Sequence, residues 1–166
     1  MKDELKIPDL WTQSQEYRRS YQQDEQIETV LGLLQLPAAT GLVDLGCGNG
    51  AFAVEAARRH PQCRVWACDV LPGAVDECRR RAEEAQAANV ETVICSAESV
   101  PLPDGCADRL LMRNTLHHVV DADAVFDEFA RLLRSGGRLV LEGPVNAWDE
   151  EVGRLLTDMA VRHALA

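Results

Sequence analysis

The chain has 166 residues, 46% of them hydrophobic and 27% charged, which indicates one globular domain and excludes disordered and fibrous proteins. Its 27 acidic residues outnumber 17 basic ones, and the net charge of −10 disfavours non-specific binding to nucleic acid or to anionic membranes. No apolar run approaches the length of about 18 residues that a transmembrane helix needs, so we expect no membrane span.

The predicted elements alternate between helix and strand along most of the chain. Residues 1–22 are polar with isolated aromatics and predict an arm or lid, which leaves residues 23–166 as the expected domain. Apolar residues at helical spacing predict a first helix over residues 24–35. The elements predicted after it are strands over residues 42–45, 64–68, 91–95, 107–112 and 138–141, and helices over residues 51–60, 73–88, 125–133 and 148–166.

This alternation predicts the fold class. Strand–helix–strand units indicate an α/β protein with a Rossmann-like, doubly wound, mostly parallel sheet and helices on both faces. The predicted strands are almost continuously apolar, as expected for parallel strands that are buried on both sides.

A glycine-rich loop is the strongest local signal for function. Asp44-Leu45-Gly46-Cys47-Gly48-Asn49-Gly50 joins the first predicted strand to a helix, where a ligand can approach the backbone closely. Asp69 ends the second strand about 20 residues later, where a carboxylate can hold ribose hydroxyls or cap a helix instead. The loop also fits the dinucleotide fingerprint, but Asp44 would repel a pyrophosphate and suits a ligand that carries an amino group.

Residues 44–50 resemble motif I of the class I S-adenosylmethionine-dependent methyltransferases. Residues 97–103, 108–118 and 133–139 resemble later segments of the small-molecule branch that includes the ubiquinone/menaquinone biosynthesis methyltransferases. The resemblance covers about residues 25–143 and implies transfer of a methyl group from S-adenosyl-L-methionine to a small-molecule acceptor.

The resemblance also implies a set of cofactor-binding residues. They are Asp44, Gly46, Cys47 and Gly48 at the methionine part, Asp69 at the ribose, Val70, Leu71, Ala97 and Glu98 at the adenine, and Arg113 and Asn114 at the sulfonium. The family often has an aspartate where this chain has Ser96, so adenine recognition is expected to rely more on the backbone.

No catalytic base is assigned from the sequence. His117 and His118 follow the fourth predicted strand and are candidates if the acceptor must lose a proton; both can instead be structural or shape the acceptor pocket. Tyr17 and Tyr21 in the N-terminal arm can form a lid or simply pack against the domain.

The cysteines and the N-terminus bear on compartment. The six cysteines form no Cys-x-x-Cys pair, and the N-terminus lacks the apolar core of a secretory signal. We therefore expect reduced thiols, a cytoplasmic location and no metal.

The C-terminal part is shorter than the resemblance leads us to expect. The family's sheet has seven strands, and no strand is predicted after Gly143, although residues 139–141 are apolar on both faces. Two explanations stay open. Either the chain is a truncated form, or the edge of the fifth strand is covered by an oligomer or by the C-terminal helix. This feature favours, as an alternative function, a non-catalytic cofactor-binding or interaction module; an NAD-binding oxidoreductase is a weaker alternative.

Overall fold

The computed structural model describes residues 24–36, 40–143 and 154. The predicted N-terminal arm and all but one residue of the predicted C-terminal helix lie outside these residues, as do Tyr17 and Tyr21. No helix in the described part is long and apolar enough to cross a bilayer.

The described elements form one α/β unit. The strands are β1 (Gly41–Leu45), β2 (Arg64–Asp69), β3 (Val90–Ile94), β4 (Ala107–Arg113) and β5 (Leu133–Glu142), and the helices are α1 (Asp24–Leu34), α2 (Ala51–Arg59), α3 (Pro72–Glu84) and α4 (Ala122–Leu132). A single 3-10 turn, Leu116–His118, follows β4.

All strand pairs in the described sheet are parallel, in the order β3-β2-β1-β4-β5. The chain goes from β1 outwards to β3 and then returns to β4 on the other side of β1. Open sheets of this kind bind ligands at the carboxyl ends of the strands where the order reverses. The α/β, Rossmann-like prediction is therefore confirmed, and the ligand-binding crevice is expected at the ends of β1 and β4.

The core lies on both faces of the sheet, because successive side chains of a strand point to opposite sides. Leu42 of β1 packs in one apolar cluster with residues of α1, α2 and α3, whereas Val43 and Leu45 pack in the other with residues of α4. Asp44 therefore faces the same side as Leu42, towards α2.

Two predicted boundaries are wrong. The third helix ends at Glu84 rather than residue 88, because Gln86 takes a left-handed conformation with φ 54°. The fifth strand begins at Leu133 rather than at residue 138, so Gly136 and Gly137 lie inside β5. There the register moves from Ala107 opposite Leu133 to Arg109 opposite Arg138, so residues 134–137 form a bulge.

Candidate functional site

Three glycines give the loop after β1 its shape. Gly46, Gly48 and Gly50 have φ values of 74°, 56° and 76°, in the left-handed region that favours glycine. A Cβ on Gly46 would lie 2.1 Å from the Thr115 hydroxyl oxygen, and one on Gly50 would lie 2.3 Å from the sulfur of Cys78. The loop is therefore pressed between the segment after β4 and helix α3, where no side chain fits.

The end of β2 holds this loop in place. The carbonyl oxygen of Cys68 accepts hydrogen bonds from the N–H groups of Gly46 (2.8 Å) and Cys47 (2.9 Å). The Asp69 carboxylate accepts one from Gly48 N (2.9 Å) and one from Leu71 N (2.9 Å). Asp69 is only 7% exposed, yet each carboxylate oxygen keeps a further lone pair for a ligand.

Asp44 is a buried carboxylate with an unsatisfied oxygen. Asp44 is 3% exposed, and its Oδ2 atom has no hydrogen-bond partner among the described residues. Burial raises the pKa of Asp44 to about 7; the charge of Asp69 adds to this, while Arg113 and the N–H of Ala53 oppose it. An unpaired buried acceptor of this kind suits a ligand that brings a cationic N–H donor.

Arg113 closes the other side of the site, at the end of β4. Its side chain is 8% exposed and makes a two-pronged ion pair with Glu142 at the end of β5, through Nε (2.6 Å) and Nη2 (2.8 Å). The guanidinium carbon lies 4.1 Å from the centre of the Phe52 ring. Arg113 in turn lowers the pKa of Glu142. Asn114 follows with φ 48°, and its N–H donates to the Glu142 carbonyl oxygen (2.8 Å).

The segment after β3 forms the opposite rim. The Glu98 Oε1 atom accepts the N–H groups of Val120 (2.8 Å) and Asp121 (2.9 Å), and its Oε2 accepts the Ser96 hydroxyl (2.9 Å). These bonds lower the pKa of Glu98. Glu98 thus ties this segment to the start of α4, a role the sequence did not indicate. Val70, 61% exposed, leaves an apolar surface open beside Asp69.

The two candidate bases lie together on the surface. His117 and His118 are exposed in the 3-10 turn after β4, with ring centres 3.9 Å apart. They follow Thr115, which packs against Gly46. The structure therefore places them on the strand-end side of the sheet, and their role stays a prediction.

The structure thus places the predicted residues of β1, β2, β4 and their loops at the carboxyl ends of the parallel strands. The sequence analysis missed three residues that shape this site: Phe52 under Arg113, Thr115 against Gly46, and Cys78 against Gly50. No local pattern could have revealed them, because each contact joins elements that are distant in the chain.

Comparisons with known proteins agree with this arrangement. The family model of the methyltransferase domain matches residues 43–141. The 27-O-demethylrifamycin SV methyltransferase of Amycolatopsis mediterranei is 33% identical over 115 residues, 69% of this chain and 42% of that protein. A tRNA (carboxymethyluridine(34)-5-O)-methyltransferase of Macaca fascicularis is 30% identical over 112 residues, 66% of this chain and 15% of that protein.

A solved structure supports the fold. A SAM-dependent methyltransferase from Aquifex aeolicus superimposes with a TM-score of 0.76 at 23% identity, covering 92% of this chain and 87% of that one. The chain spans less than half the length of the two curated relatives described above.

Proposed function

Because this chain belongs to the methyltransferase domain family, we propose that it binds S-adenosyl-L-methionine and transfers the methyl group to a small-molecule acceptor. The observation that carries the proposal is the unpaired, buried oxygen of Asp44, two residues before the first glycine of the loop. A ligand without an ammonium group would leave the desolvation cost of this acceptor uncompensated. An ammonium group would donate a charge-assisted hydrogen bond to it.

The residues around the crevice fit the parts of this cofactor. Asp44 would accept from the amino group, with Gly46, Cys47 and Gly48 beside the methionine part. Asp69 would accept from the ribose hydroxyls through its remaining lone pairs. Val70 and Leu71 would pack on the adenine, and Ala97 and the backbone at Glu98 would contact its edge, since the Glu98 carboxylate is already bonded.

The charges suit a cationic cofactor. When bound, S-adenosylmethionine supplies the methyl group on a positively charged sulfur. Asp44 and Asp69 contribute carboxylates to the crevice, while Glu142 pairs with the guanidinium of Arg113, whose side chain is 8% exposed. Arg113 and Asn114 can therefore border the sulfonium without leaving an uncompensated positive charge there.

The protein would act mainly by orienting the two reactants, because the cofactor carries the reactive group. His117 or His118 would take a proton from acceptors that must lose one. The net charge of −10 favours a small-molecule acceptor over a nucleic acid, which is a polyanion. We also propose a cytoplasmic location and, where no further strand covers β5, association through its edge.

Calorimetric titration with S-adenosylmethionine and S-adenosylhomocysteine tests the proposal. We expect both to bind, and Asp69→Ala to weaken binding by about 1–3 kcal/mol. Asp108→Ala is the matched control, because Asp108 also accepts a backbone N–H, that of Gly41 at 2.8 Å, but at the opposite end of β1. A folded protein that gives no heat with millimolar ligand contradicts the proposal.

A second measurement separates an enzyme from a binding module. Purified protein, cofactor and a panel of small acceptors with oxygen, nitrogen, carbon and sulfur nucleophiles are assayed for S-adenosylhomocysteine formation. Turnover supports the transferase. Cofactor binding without turnover on any acceptor favours the non-catalytic module.

A further inference from the structure

The Glu98 side chain joins two segments that are far apart in the sequence. Its Oε1 atom accepts the N–H groups of Val120 (2.8 Å) and Asp121 (2.9 Å), at the start of α4. Its Oε2 atom accepts the hydroxyl of Ser96 (2.9 Å), whose oxygen in turn accepts the Glu98 N–H (3.2 Å). Ser96 thus fixes the direction of the carboxylate. We call these hydrogen bonds the Glu98 clasp.

A short turn that carries the two exposed histidines lies directly before the clasp. This histidine turn is the 3-10 turn Leu116–His118, and a single residue separates it from Val120. Thr115 precedes the turn and packs against Gly46, with its hydroxyl oxygen 3.5 Å from the Gly46 carbonyl oxygen. The histidine turn is therefore attached to the glycine loop at one end and, through the clasp, to the segment after β3 at the other.

The proposed cofactor would contact both of these attachments. In the function proposed above, Gly46 lies beside the methionine part, and Ala97 and the backbone at Glu98 lie beside the adenine. Binding that orders one part of a hydrogen-bonded unit lowers the cost of ordering the rest. A nucleoside that orders the segment after β3 therefore also favours the closed clasp, and with it the position of the start of α4.

We propose that Glu98 is a positioning residue that couples occupation of the adenine end of the cofactor site to the position of the histidine turn. This coupling rests on the proposed function. When the clasp is closed, His117 and His118 are held in one place relative to the cofactor. When it is open, the turn loses its attachment to the segment after β3. Cofactor binding thereby prepares the acceptor side of the site before the methyl group is transferred.

The first experiment measures the clasp itself and does not depend on the proposed function. Amide hydrogen exchange of Val120 and Asp121 is followed by NMR in the full chain without ligand. A hydrogen bond to a charged group changes an equilibrium constant by about 10- to 150-fold, so exchange should become about tenfold faster or more in Glu98→Ala. Glu98→Gln should keep most of the protection, because the amide oxygen also accepts N–H groups and the NH₂ group can donate to Ser96.

Asp121→Ala is the matched control for this experiment. The Asp121 carboxylate caps α4 by accepting the N–H of Ala124 (3.0 Å), whereas the clasp uses only the backbone N–H of Asp121. The variant therefore weakens the start of α4 but keeps the clasp, and exchange of Val120 should stay close to that of the parent. Where Glu98→Ala does not fold, Ser96→Ala replaces it. That variant removes only the bonds that direct the carboxylate, so exchange should become faster by a smaller factor.

The second experiment measures the coupling with 5′-methylthioadenosine, a nucleoside that has the adenine and ribose of the cofactor but not its amino-acid part. The ring C–H signals of His117 and His118, assigned with His117→Gln and His118→Gln, are followed by NMR at saturating nucleoside. We expect these signals to shift in the parent, in Glu98→Gln and in Asp121→Ala, but not in Glu98→Ala. The affinity for the nucleoside should fall by about 5-fold or more in Glu98→Ala and stay unchanged in Asp121→Ala.

Several results would overturn the inference. Equal exchange of Val120 and Asp121 in the parent and in Glu98→Ala would mean that the carboxylate does not hold these groups. An equal loss of nucleoside affinity in Glu98→Ala and Asp121→Ala would make a weakened α4 the cause. Histidine signals that still shift in Glu98→Ala would remove the coupling. A parent that binds neither 5′-methylthioadenosine nor S-adenosylhomocysteine would refute the proposed function and the coupling together, while hydrogen exchange would still decide whether the clasp forms.

Discussion

Replacing Asp44 by asparagine should make the cofactor-free protein more stable and, at the same time, a poorer binder. Asp44 is buried and has an unpaired oxygen, so its ionised form is costly in the folded chain. Asparagine has nearly the same shape without the charge. The same substitution removes the carboxylate proposed to meet the cofactor's amino group, which weakens binding.

The size of the stability effect follows from the pKa. Folding raises the pKa of Asp44 from 3.8 to about 7, and each pKa unit corresponds to about 1.4 kcal/mol. The cost of burying the charge is absent well below pH 4, grows as the pH rises towards 7, and is then constant at about 4 kcal/mol. The Asp44→Asn variant gains stability by avoiding this cost. Its buried amide is unsatisfied, however, which offsets about 1–3 kcal/mol of that gain at every pH. The variant's advantage over the parent should therefore grow by about 2–3 kcal/mol between pH 5 and pH 8.

Urea unfolding of parent and Asp44→Asn at pH 5 and pH 8, followed by circular dichroism, measures this difference. All other titrating groups are shared by the two proteins, so they cancel when the free energies of unfolding are subtracted. A difference that is the same at both pH values would refute the reasoning, because it would mean that Asp44 ionises equally easily in the folded and unfolded chains. Titration of both proteins with S-adenosylhomocysteine at pH 8 tests the predicted loss of binding affinity in Asp44→Asn.

Three further substitutions test other parts of the structure. Gly46→Ala should abolish cofactor binding, because its Cβ would clash with Thr115 at positive φ, and titration of the folded variant would show retained binding if the reasoning is wrong. Asn89→Ala should lower the free energy of unfolding by about 1–3 kcal/mol in urea, since the two hydrogens of its side-chain NH₂ group are shared among three backbone carbonyl oxygens; an unchanged midpoint would contradict this. Arg113→Met should raise the pKa of Asp44 further, so the pH midpoint of cofactor affinity should move upwards; a midpoint that stays or falls would exclude the guanidinium as the cause.

The sequence predicted the elements well where local pattern decides them. β1 is wholly buried, and its apolar run and following glycines were sufficient to place both the strand and the loop. The end of α3 was predicted too late, because alanines continue the helical pattern through residues where the backbone turns at Gln86. A glycine pair predicts a change of direction, but it does not distinguish a turn between elements from a bulge inside β5.

How far the candidate site could be predicted also depends on whether its parts are close together in the sequence. The glycine loop and Asp69 could be predicted, because a strand end and its loop are local in sequence. The Glu98 carboxylate could not be placed, since its partners at Val120 and Asp121 are brought to it only by packing of the following helix. The burial of Asp44 follows from the position of β1 between two neighbours, which a single strand pattern does not reveal.

The bulge at residues 134–137 determines how the sheet can grow. Beyond it, residues 138–142 pair with β4 in an unbroken register, whereas the bulged residues break the regular spacing of N–H and C=O groups. Any strand that adds to the outer edge of β5, from this chain or from another, finds a regular template of only about five residues. That template ends at Glu142, whose carboxylate pairs with Arg113, so one end of a strand added there would lie beside the candidate site.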